Sequence, residues 1–97
     1  MGVDGAEGRV RVLIVDGQNN HDWRKTTPVL KQALEVSGRF QVDVSTSPAK
    51  GGASEWDAWK PKFGEYQVVL SNYNGQEWPE GVRKAFEAYV IGGGGFV

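Results

Sequence analysis

The stretch RVRVLIVDGQNNHDWRKTTP, residues 9–28, decides how this chain folds. Val10 and the run Val12, Leu13, Ile14 and Val15 are apolar and rich in β-branched side chains, and the run stops at Asp16-Gly17. A run this short suits a strand buried on both faces better than a helix. The strand empties into a loop with two Asn, the only His of the chain and a Trp. Thr27-Pro28 then reads as an N-cap followed by proline at the first helical position. Val29, Leu30, Ala33 and Leu34 supply one apolar face, and Gly38 supplies the stop. The expected helix spans 27–37.

Outward from this unit the alternation continues. FQVDVSTSP, residues 40–48, sets Phe40, Val42 and Val44 against polar neighbours, the pattern of a half-solvated strand near a sheet edge, expected over 40–45. Residues 48–65 carry Pro48, Gly51, Gly52, Pro61 and Gly64, and read as a loop with one helical turn whose Trp56 and Trp59 pack against the sheet. YQVVLSNYNG gives a further buried strand over 67–71. Val82, Ala85, Phe86, Tyr89 and Val90 then recur at helical spacing over 79–91, before a four-glycine exit and an incipient strand.

Alternating strands and helices imply a mostly parallel sheet with right-handed crossovers and helices on both faces. The expected class is α/β, a flavodoxin-like three-layer fold in which the first and third strands are neighbours. Ligands of such sheets bind in the crevice beyond the carboxyl ends of the strands. There the loop bearing Asn20, His21, Asp22 and Trp23 would face Asn72, Tyr73 and Asn74. Amides, an imidazole, a carboxylate and aromatic rings suit a neutral polyhydroxylated ligand, since amides both donate to and accept from hydroxyl groups while rings cover C–H surfaces.

His21 can transfer protons near neutral pH, ligate a metal, or simply cap the loop by bonding backbone carbonyls. Asp22 can orient that imidazole or cap the helix. Asp16-Gly17 can hold a ligand or form the tight exit turn. Trp78, just before Pro79, reads as a structural staple at the start of the last helix. A complete metal site needs three or four ligands, and these loops visibly offer two at most.

The 97 residues include 11 basic and 12 acidic side chains, interspersed, for a net charge of −1. No field attracts nucleic acid or an anionic membrane. The glycine run follows a helix and precedes a strand, the wrong order for cradling a dinucleotide. With no Cys there is neither a disulfide nor a thiolate nucleophile. MGVDGAEG, residues 1–8, is neither a signal peptide nor a membrane span, and is expected to be a disordered leader, with a cytoplasmic location by default.

Taken together, the His21 segment with Gly17, Asn20, Asp22, Trp23 and Thr27, the SNYNG segment with Trp78, and Phe86, Tyr89 and Val90 before the glycines resemble the ThuA-like (trehalose utilisation) domain family. The resemblance runs from Arg9 onward. It implies a relative of the class I glutamine amidotransferase-like fold without that fold's Cys, acting on keto-sugars or glycosides derived from disaccharides such as trehalose. On this reading His21 and Asp22 are catalytic, Asn20, Trp23, Asn72, Tyr73 and Asn74 bind substrate, and His21 is also the candidate ligand of a divalent metal in a longer protein. Members continue past the glycine run to another His, so residues 9–97 are expected to be the N-terminal part of one α/β domain. A non-catalytic sugar-binding or protein-interaction module is the alternative, and an open sheet edge would favour homo-oligomers.

Overall fold

The computed structural model describes residues 8–97. The expected leader lies outside the described residues, apart from Gly8 at a turn. Four strands form one sheet: β1 (Val10–Asp16), β2 (Phe40–Thr46), β3 (Val68–Ser71) and β4 (Gly95–Phe96). They are parallel throughout and ordered β2-β1-β3-β4, so the first and third strands are indeed neighbours. Between them run the helices α1 (Trp23–Glu35), α2 (Ala53–Ala58) and α3 (Glu80–Ile91), with a 3-10 turn at Phe63–Glu65.

Central β1 explains the apolar run. Val12, Leu13, Ile14 and Val15 are all 3% exposed or less, because alternate side chains enter opposite layers. Leu13 and Val15 join Val69, Phe63 and Val82 under α3. Val12 and Ile14 join Val42 under Leu30 and Leu34 of α1. Each such side chain contributes about 1.5–3 kcal/mol by leaving water. The three layers expected from the sequence are thus present.

Helix α1 departs from expectation. It begins at Trp23, four residues before Thr27, and Pro28 lies inside it. Asp22 is the N-cap, yet its side chain makes no capping bond; its carbonyl instead accepts from the amides of Lys25 and Thr26 at 3.1 Å. Thr27 is buried and faces the sheet side, whereas Val29 is 65% exposed. The apolar stripe is therefore Thr27, Leu30 and Leu34, with Val29 and Ala33 outside it. Thr27-Pro28 resembles a cap, but the tertiary partner of Thr27, described below, outweighs that local signal.

Elsewhere the differences are small. β2 reaches Thr46, β3 starts at Val68, and α3 starts at Glu80 with Pro79 as its cap. The indole of Trp59 donates to the Ser45 hydroxyl of β2 at 3.0 Å and pins the long loop to the sheet as expected, while buried Trp56 donates to the Ala49 carbonyl at 3.1 Å and closes the loop on itself. Trp78 sits among Trp59, Phe63, Tyr73 and Phe86 with ring centroids 5.6–5.9 Å apart. Among the described residues no helix is long and apolar enough to cross a membrane.

Candidate functional site

Because all four strands run the same way, the loops after β1, β2 and β3 open on one edge of the sheet. At its centre Asp16 is 2% exposed and its carboxylate accepts the Thr46 hydroxyl at 2.6 Å. Its carbonyl accepts the Ser47 amide at 2.8 Å. Gly17, at φ 122°, turns the chain against Ser47 so tightly that a Cβ would overlap both the backbone and the hydroxyl of Ser47. Asp16-Gly17 is the exit turn, as one of the two readings held, and Gly is required there.

Asn72, at the end of β3, is the hub of this edge. Its amide nitrogen donates to the hydroxyls of Thr26 at 3.0 Å and Thr27 at 2.9 Å, and its oxygen accepts from the Asn19 amide at 3.3 Å. Asn19 in turn accepts the backbone N–H of His21 at 3.2 Å. A continuous chain of bonds therefore runs from β3 through Asn72 and Asn19 to His21. Most of the capacity of Asn72 is spent inside the protein, which suits holding the loop better than grasping a ligand.

The other expected site residues lie around this hub. Asn20, His21 and Asp22 are exposed, and among the described residues the imidazole of His21 has no hydrogen-bond partner. The loop-cap reading needed bonds from that ring to backbone carbonyls. Trp23 is half-buried, with the Arg24 guanidinium 4.4 Å from the centre of its ring. Tyr73 turns into the aromatic layer beside Trp78 and donates its hydroxyl to the Gln76 carbonyl. Asn74 is exposed, and its amide N–H donates to the Gln18 carbonyl at 2.8 Å.

Gln18, Asn19, Thr26 and Gln76 escaped the sequence reading, and Thr27 entered it as a helix cap and not as part of the site, although all five hold the edge together. Gln18 and Asn19 stand in the same polar loop as His21, and their neighbourhood was the signal. For Gln76 and Thr26 no local pattern existed, and the cap pattern at Thr27 pointed elsewhere, because each is defined by a partner far along the chain. A hollow of about 530 Å³ lies elsewhere, between α2 and α3, and is lined by Trp56, Trp59, Pro61, Pro79 and Val82. A hollow of about 310 Å³ adjoins the site, lined by Tyr73, Asn74, Gln76, Trp78 and Arg83.

Among the described residues no three His, Cys, Asp or Glu side chains are grouped as metal ligands. His21 and Asp22 alone do not fit a metal site, which would need donors from beyond these residues.

No family model matches the chain, and no curated protein does. Among solved structures it is similar to the crystal structure, at 1.75 Å resolution, of a protein from Parabacteroides merdae ATCC 43184 described as ThuA-like, with a TM-score of 0.85 and 43% sequence identity. The match covers 91% of this chain, which spans 31% of that neighbour's length. By fold and by sequence together, this chain is similar to that ThuA-like protein over 31% of the neighbour's length.

Proposed function

We propose that this chain carries the crevice of a carbohydrate-metabolism enzyme acting on keto-sugars or glycosides related to trehalose utilisation, with His21 transferring a proton. One observation carries the reading. His21 is displayed at the carboxyl edge of a parallel sheet, its backbone held by Asn19 and its ring unengaged by other described residues. A general acid or base must reach its substrate through a free ring nitrogen, and an exposed ring keeps its nitrogens within reach. The ThuA-like neighbour supports the carbohydrate class. Exposed Asn20 and Asn74 supply amide groups of the kind that bond sugar hydroxyls, and half-buried Trp23 supplies a ring face.

A second reading, a sugar-binding module without chemistry, is favoured by Asp22, whose exposed carboxylate is not seen to orient the imidazole. The two readings separate on one assay of the intact protein with a 3-keto-glycoside. Consumption of the compound with release of its aglycone supports the enzyme. Saturable binding without consumption supports the module, and neither binding nor consumption overturns both.

A further inference from the structure

Three loops meet at the crevice through two glutamines, and their bonds form a closed ring. The Gln18 amide donates to the Pro48 carbonyl at 3.2 Å, and its oxygen accepts the Gln76 N–H at 2.8 Å. The Gln76 side-chain oxygen accepts the Gly51 N–H at 3.0 Å. Pro48 and Gly51 belong to the same loop, so these bonds link the loops after β1, β2 and β3 and return to their start. The Tyr73 hydroxyl, donating to the Gln76 carbonyl, ties one corner to the aromatic layer below α3.

The fit around Gln18 is close. A Cβ at Gly75 would overlap the Gln18 side chain, so position 75 accommodates that glutamine only as glycine. Gln18 uses both ends of its amide within the ring, which leaves it a part of the wall. In a closed ring, opening one bond frees the groups that hold the next, so the three loops should loosen together.

We propose that Gln18 and Gln76 are positioning residues that lock these loops into one preassembled wall, so that a carbohydrate binds without first ordering them. The carbohydrate part rests on the proposed function; the ring does not. Preassembly lowers the ordering cost of binding, which is how residues that need not touch a ligand can govern its affinity.

The test uses the intact protein, amide hydrogen exchange resolved at Gly51 and Gln76, and titration with trehalose as the probe. Gln18→Ala and Gly75→Ala should each speed exchange at Gly51 about tenfold or more, although neither position bonds to Gly51. Gln76→Ala should do the same. Gln76→Glu keeps an acceptor oxygen for the Gly51 N–H, so it should restore near-wild-type exchange and trehalose affinity, which a general loss of packing would not allow. Trehalose should bind the opened variants about tenfold more weakly. Wild-type exchange at Gly51 in both Gln18→Ala and Gly75→Ala would overturn the ring. If either variant fails to fold, the Gln76→Ala and Gln76→Glu pair decides, and equal exchange in the two overturns it. Coupled exchange without trehalose binding to the wild type leaves the ring standing and removes the carbohydrate.

Discussion

The side-chain amide of Asn72 donates to the hydroxyl of Thr27 at 2.9 Å across 45 residues of sequence, and so docks α1 onto the end of β3. Thr27 is only 6% exposed, so its hydroxyl has little access to water if this partner is lost. Asn72→Ala should therefore cost about 1–3 kcal/mol in denaturant unfolding, the usual cost of stranding a buried polar group. Thr27→Val removes the stranded group, and the double variant should recover about 1 kcal/mol of the sum of the single costs. Strict additivity of the two would mean that the bond contributes nothing.

Pro28 lacks the N–H that would bond the Arg24 carbonyl within α1. The residue is exposed, so little packing is lost on its removal. Pro28→Ala should raise the unfolding free energy by about 1 kcal/mol, the restored helical bond outweighing the greater freedom of the unfolded chain. A lower stability by chemical denaturation would show that proline is fixing the approach of the helix to the crevice.

Burial, followed by the hydrogen bond to Asp43, pushes the Tyr66 hydroxyl from an ordinary 10.0 up to about 12. Its donation to Asp43 at 2.7 Å requires the neutral form. Because the folded-state value is raised, this contribution is complete below pH 10 and is lost as the pH rises from about 10 towards 12. Stability followed by circular dichroism should fall across that window, and Tyr66→Phe should flatten part of the fall. An unchanged slope in Tyr66→Phe would assign the alkaline transition to other groups.

Among the described residues the indole N–H of Trp78 is buried without a partner, whereas that of Trp56 donates to Ala49. Trp78→Phe should thus cost about 1 kcal/mol or less, since the lost ring volume is offset by removing an unsatisfied donor. Trp56→Phe should cost more, because it also strands the Ala49 carbonyl. Thermal melts of the two variants give the comparison directly, and the reverse order would contradict this account of the aromatic layer.

What could be read from the sequence follows the range of the forces involved. The β1 run and the spacing of Val82, Phe86 and Tyr89 are local patterns that encode burial, so strand order, parallel pairing and the three layers were legible before any coordinates. The start of α1 was not. Thr27-Pro28 carries a strong local cap signal, but Thr27 is held by Asn72, and a bond across 45 residues of sequence leaves no trace in the neighbouring residues. The same holds for Gln18 and Gln76, whose roles exist only once three loops have been brought together. Tyr73 belonged by composition with the polar loop, yet its ring had an aromatic layer to enter. Thr27 and the glutamines thus mark where pattern reading runs out and tertiary geometry begins.

The central claim is that His21 transfers a proton on a carbohydrate substrate while contributing little to the fold. The direct measurement is turnover of a 3-keto-glycoside by the intact protein and by its His21→Ala variant, each with a thermal melt. The exposed ring leaves no cavity when removed, so the melt should shift by the equivalent of less than about 1 kcal/mol. Turnover should fall about 100-fold or more if the ring moves a proton in the slow step. Turnover at the wild-type rate in a normally folded His21→Ala protein would contradict the assignment.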